Sequence, residues 1–203
     1  SDDAPEQLRR DLDDLGPKVQ VIEREFVPNF VFGPNDVVVT VGQDGLVANT
    51  AKYARRLPIV GVNPDPKRID GVLLPFKVEG ARNAVRHALE GKAQFRSVTL
   101  AEALLPAGQR MLAFNDLFIG AASHVSARYR IKLDGRTEPQ SSSGVLISTG
   151  AGSTGWLSSV FNMAAGLAAS SAQRAIAPAP LRMKWEDPRL AFVVREPFVS
   201  KHS

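Results

Sequence analysis

Asp36-Val-Val-Val-Thr-Val41 is nearly continuous in β-branched residues. Such side chains lose rotamer freedom in a helix and pack well on a pleated surface, so the run reads as a strand. Its lack of alternation predicts a strand covered on both faces, as in a parallel sheet. Gly42-Gln-Asp-Gly45 ends the run. Leu46 to Leu57 then takes up helical spacing, with Val47, Ala51, Ala54 and Leu57 available for one face, and Pro58-Ile-Val-Gly-Val62 is a second strand of the same kind. Strand, glycine turn, helix and strand make a βαβ unit with the usual right-handed crossover.

Around this unit the reading is simpler. Glu6 to Leu15 is a short charged helix stopped by Gly16-Pro17. Val19 to Ile22 is strand-like, Pro28 to Pro34 a loop, and Ala81 to Glu90 a helix closed by Gly91. Beyond about residue 97 the texture changes. Val125, Ala127, Tyr129, Ile131 and Leu133 alternate with Ser126, Arg128, Arg130 and Lys132, and Asp134-Gly135 supplies a hairpin turn. Met111 to Phe114, Leu117 to Ile119, Gly144 to Thr149 and Leu190 to Val194 also read as strands. There is no internal repeat. The 203 residues therefore divide into an α/β domain over 1–97 and a β-rich domain over 98–203.

Composition removes several function classes. With no cysteine there are no disulfides, thiolate metal sites or cysteine nucleophile, which is compatible with a reducing cytoplasm. The net charge of +4 and the pI near 9.6 suit an anionic ligand such as a nucleotide, and an ordinary solvated surface equally well. The basic residues come singly or in pairs, with few aromatics between them, so no nucleic-acid groove is expected. Pro139 to Gln173 is free of charge over 35 positions, long enough to cross a membrane, but it holds nine Ser, two Thr and five Gly. It is not a membrane helix. The three histidines, His87, His124 and His202, show no metal-ligand spacing, so no protein metal site is expected, and no Ser-His-Asp arrangement is legible.

Three segments carry chemistry. In Gly42-Gln43-Asp44-Gly45, glycines between a strand and a helix let backbone N–H groups approach a phosphate at the positive end of the helix. A carboxylate there would repel such a ligand. It makes sense if Asp44 takes a proton from an attacking hydroxyl or helps hold a metal, although a tight Asp-Gly turn capping a helix would look the same. Asn115-Asp116, between apolar strand segments, can grip a base edge or a ribose diol, or can mark a bulge. Ser148-Thr-Gly-Ala-Gly-Ser-Thr-Gly-Trp156 combines a freed backbone, the hydroxyls of Ser153 and Thr154, and a flat indole. That combination favours a ligand loop.

In order and spacing these segments resemble the NAD kinase family, whose pattern is Gly-Gly-Asp-Gly-Thr, then Asn-Glu, then Gly-Ser-Thr-Ala-Tyr. The flanks Gly61-Val-Asn-Pro-Asp-Pro-Lys-Arg68, Ser142-Ser143-Gly144 and Arg195-Glu196-Pro197 are similar to the mitochondrial-type members and their bacterial relatives. The resemblance covers about Asp36 to Phe198. It implies a Rossmann-like α/β domain and a C-terminal β-sandwich domain, with the active site between them and a homodimer or larger homo-oligomer in the cytoplasm. It also implies transfer of the ATP γ-phosphoryl to the 2′-hydroxyl of the adenosine ribose of NAD, with Mg²⁺ shielding the triphosphate. Asp44 would be the catalytic base. Gly42, Gly45, Asn63, Asn115, Asp116, Ser153, Thr154, Gly155 and Trp156 would join it in binding nucleotide. The family has further strands beyond Phe198, so the second domain is expected to be incomplete at its C-terminus.

The departures are chemical. Gln43 replaces a glycine and Leu46 a threonine, crowding the phosphate approach and removing a hydroxyl; Asp116 is shorter than Glu, and Trp156 lacks the tyrosine hydroxyl. Two alternatives follow: a catalytically weak NAD-binding protein of the same fold, or a lipid or sphingoid kinase, which shares the glycine–aspartate turn.

Overall fold

The computed structural model describes residues 4–170 and 179–199. The chain forms two compact units, Ser1–Arg96 and Ser97–Ser203.

The first unit opens with helix α1 (Ala4–Asp13), which buries Leu8 and Leu12 and leaves its charged face to solvent. Strand β1 (Val38–Val41), helix α2 (Asp44–Ala54) and strand β2 (Ile59–Asn63) form the expected βαβ unit. β1 and β2 are parallel, with Val39 opposite Val60 and Val41 opposite Val62. A short β3 (Phe76–Lys77) adds to the other side of β2 and leads directly into helix α3 (Val78–Leu89). The sheet order is β1–β2–β3, so β2 is central and β1 an edge. An edge position concerns lateral neighbours, not faces, and β1 is covered in part on both: Val39 and Val41 pack against the core on one side and Thr40 is buried on the other, whereas Val60 to Asn63 of central β2 are all buried. An unbroken β-branched run specifies a strand without saying how many neighbours flank it.

The core gathers Leu8 and Leu12, Val60 and Val62, and Ala81 and Val85, one pair from each of α1, β2 and α3. Gly91, at φ +68°, closes α3 in the left-handed conformation that glycine adopts without penalty. Val19 to Ile22 is no strand. Val19 packs on the core while Val21 is exposed, and no neighbouring strand is hydrogen-bonded to this segment among the described residues. The expected loop at Pro28 begins inside a 3-10 turn, Arg24–Asn29.

The second unit is built from β4 (Ala101–Leu104), β5 (Arg110–Ala113), β6 (Asp116–Gly120), β7 (Ala127–Leu133), β8 (Arg136–Ser142) and β9 (Gly144–Ser148), then helix α4 (Trp156–Ser170) and β10 (Ala191–Arg195). β9 lies between β10 and β6 in an antiparallel sheet, and β4–β5 and β7–β8 are two-stranded ladders. The alternation read in residues 125–133 holds over the middle of β7, where Ala127, Tyr129 and Ile131 are half-buried and Arg128, Arg130 and Lys132 exposed, but Val125, ahead of the strand, and Leu133, at its end, are exposed. Asp134 (φ +48°) and Gly135 (φ +78°) form the two-residue turn, whose double left-handed geometry matches strand twist. Helix α4 was not foreseen. Serines and glycines dominate the stretch that feeds it, and only Leu157 of its side chains is buried.

Candidate functional site

In the first unit the glycine turn sits where β1 gives way to α2. Gly42 donates its N–H to the Val62 carbonyl at 3.2 Å, so the turn is tied to the end of β2. Gln43 precedes the helix in extended conformation without capping it, and Asp44 is the first helical residue. The Asp44 carboxylate does not cap its own helix. Its Oδ1 accepts the Leu73 N–H at 2.6 Å, a partner 29 residues away in the loop between β2 and β3. Among the described residues Oδ2 has no hydrogen-bond partner. Gly45 is exposed, and a Cβ added there would meet nothing within 4 Å, so the fold itself does not demand glycine. Leu46 does crowd the turn: a Cβ on Gly42 would lie 3.2 Å from Leu46 Cδ2.

Asn63, at the end of β2, is 5% exposed. Its Nδ2 donates to the Ile69 carbonyl at 2.9 Å, and its Oδ1 accepts the Asp65 N–H at 3.0 Å. Both ends of the amide are thus engaged by its own loop.

In the second unit two sequence segments far apart in the chain meet. Asn115 and Asp116 stand at the start of β6, and the Asn115 carbonyl accepts the Thr149 N–H at 2.9 Å. Thr149 Oγ1 donates to the Phe114 carbonyl at 2.6 Å and accepts the Gly152 N–H at 3.1 Å. Gly152 then lies flat on the pair: a Cβ there would come 2.2 Å from the Asn115 oxygen and 2.6 Å from Asp116 Oδ1. The Asn115 side chain is exposed and, among the described residues, unbonded. Asp116 is half-buried; burial raises its carboxyl above the usual range, and the Ser148 hydroxyl partly offsets this. Its Oδ1 is buried with no partner. A buried acceptor left unpaired costs about 1 to 3 kcal/mol.

The loop itself is fastened from below. Gly150 lies under the chain at Lys184, where a Cβ would come within 1.8 Å of the Lys184 carbonyl oxygen. Ser153 is 1% exposed; its Oγ donates to the Gly150 carbonyl at 2.7 Å and accepts the Met183 N–H at 3.2 Å. Its hydroxyl shapes the loop. Thr154, Gly155 and Trp156 are exposed, and the Thr154 hydroxyl is unbonded among the described residues. The Trp156 ring lies 5.4 Å from Phe118, tilted by 33°, and the Arg195 guanidinium covers both rings at 5.3 and 5.5 Å. Such cation–π contacts contribute about 0.5 to 1 kcal/mol each at exposed sites. Sequence reasoning missed both Leu73 and the stacking role of Arg195, since neither a backbone donor nor a stack has a local signature.

No family model matches this chain. By sequence it is similar to the rat (Rattus norvegicus) protein "NAD kinase 2, mitochondrial", with 29% identity over 206 aligned positions, 79% of this chain and 48% of that protein. The chain spans about half the length of the curated relative it matches. Among solved structures, yeast NADH kinase complexed with NADH superposes with a TM-score of 0.61, at 19% identity, over 96% of this chain and 62% of that one. An NAD kinase from Archaeoglobus fulgidus in complex with ATP gives 0.60, at 20% identity, over 98% and 70%. The chain has the NAD kinase fold. The resemblance drawn from the three motifs is thereby supported by likeness in sequence and in fold. Within this NAD kinase fold, the pair Asn115–Asp116 and the loop Gly150–Trp156 pack together in the second unit, and the glycine turn of Asp44 belongs to the first.

Proposed function

We propose that this protein is an NAD(H) kinase, passing the terminal phosphoryl of ATP to the 2′-hydroxyl of the adenosine ribose of NAD to give NADP. The observation that carries the reading is the seating of Gly152 on Asn115 and Asp116. It joins two separately read motifs and leaves a buried carboxylate oxygen without a donor. The proteins it superposes on are described with NADH and with ATP, the two reactant classes such a surface needs.

In this reading Asn115 and Asp116 hold NAD through amide and carboxylate, while Thr154, Gly155 and Trp156 line the pocket. Gly42 and Gly45 admit phosphate. Asp44 Oδ2 orients the attacking hydroxyl and accepts its proton as the O–P bond forms and ADP leaves. Asn63 and Ser153, engaged by their own loops, act as supports. Among the described residues no three His, Asp or Glu side chains gather into a metal cage. In this reading Mg²⁺ would enter with the triphosphate and shield its charge. No helix among the described residues is long and apolar enough to cross a membrane. The same reading includes a cytoplasmic homodimer.

NADP formation from NAD, ATP and Mg²⁺ tests the reading, with NADH as a parallel acceptor. Asp44→Asn should lower turnover about a hundredfold while the protein stays folded. A second reading, an NAD-binding protein with little turnover, is favoured by the contact of Leu46 with Gly42 and by exposed Gln43 at the turn. Saturable NAD binding without NADP formation would establish it.

A further inference from the structure

The loop between β2 and β3 is held far more firmly than a connection needs. Ile69 and Arg68 donate their N–H groups to the Asp65 carbonyl, and Leu74 donates to Gly71. Leu74 is 4% exposed. Gly71, at φ +68°, lies so close to Asn63 that a Cβ would come 2.6 Å from Nδ2. Gly61 of β2 has the Leu73 carbonyl directly over it, where a Cβ would come within 2.1 Å. At the end of this packing the Leu73 N–H meets Asp44 Oδ1. Two glycines and a buried amide thus converge on one backbone donor.

We propose that Asn63 is a positioning residue for Asp44. Through its bonds to Ile69 and Asp65 it fixes the loop that delivers the Leu73 N–H to Asp44 Oδ1, leaving Oδ2 as the oxygen that faces chemistry. The proposal rests on the kinase reading for its catalytic consequence, but not for the geometry. A carboxylate with one oxygen anchored loses rotational freedom about its last bond, and orientation of this kind is worth up to about a hundredfold in rate. Asn63 does so without touching either nucleotide, unlike the binding role the family resemblance gives it.

The test pairs Asn63→Ala with Asn63→Asp, which keeps size and the acceptor for Asp65 but loses the donor to Ile69. Both should lower kcat about 10- to 100-fold, with dissociation constants for NAD and ATP unchanged within about twofold. In an Asp44→Asn background the same changes should cost nothing further, because the residue acts only through that carboxylate. Amide hydrogen exchange provides a readout independent of activity: the Leu73 N–H should exchange slowly in the parent and quickly in Asn63→Asp and Asp44→Ala alike. A loss of NAD or ATP affinity that accounts for the lost rate would overturn the proposal. So would an undiminished loss in the Asp44→Asn background, or a Leu73 amide indifferent to Asn63. Should the parent make no NADP, the kinase reading fails, and Leu73 exchange alone upholds or overturns the hold on Asp44.

Discussion

Gly45→Ala separates what the fold requires from what a phosphate requires. Gly45 sits in the first turn of α2, exposed, with open space where a Cβ would go. Replacing a helical glycine by alanine reduces the conformational freedom of the unfolded chain, worth about 0.4 to 1 kcal/mol where the backbone is compatible. The variant should therefore be more stable than the parent by about 0.5 kcal/mol or slightly more. If the glycine exists so that a triphosphate oxygen can reach a backbone N–H, the added methyl group blocks that bond. A hydrogen bond to a charged group contributes about 1.5 to 3 kcal/mol, so ATP should bind about 10- to 100-fold more weakly. Urea denaturation reads the first quantity, and calorimetric titration with ATP and Mg²⁺ reads the second. Opposite signs are expected: a tougher protein and a poorer binder. Increased stability with unchanged ATP affinity would refute the phosphate role of this turn, and decreased stability would refute the open geometry.

Gly152→Ala should behave in the reverse sense: a methyl group forced against the Asn115 carbonyl and Asp116 costs about 1 to 3 kcal/mol in a urea melt and weakens NAD binding with it, whereas NAD affinity surviving intact would detach the loop from the site. Because burial raises the Asp116 carboxyl above its ordinary 3.8, the folded state holds that proton more tightly than the unfolded chain, and stability attributable to this group falls as pH rises from about 4. Asp116→Asn should gain on the parent between pH 4 and pH 7 in paired denaturation curves, and a constant gap would contradict the assignment. In a Trp185→Phe background, NAD should change Trp156 emission saturably, since the indole is half-exposed between Phe118 and Arg195; a silent titration leaves Trp156 as a stacking anchor only.

What could be read from residues alone divides along a physical line. The βαβ unit was legible because β-branched runs, glycine breaks and helical spacing are local, and the β7–β8 hairpin because alternation and Asp134-Gly135 are local too. The chemistry-bearing segments were legible for the same reason: Asn and Asp are poor strand formers, and a glycine–hydroxyl loop is an unusual composition. Illegible was everything decided by a neighbour distant in the chain. The edge position of β1 depends on where β3 pairs, and β3 is a two-residue strand with no pattern of its own. The hydroxyl of Ser153 looked available until the chain at Met183 closed over it, and the Asn63 amide until its own loop turned back upon it. Asp44 marks the limit most clearly. Its sequence context offers a cap or a base, and the structure gives it neither partner but a backbone N–H 29 residues on. That bond leaves one carboxylate oxygen uncommitted, as the proposed base requires.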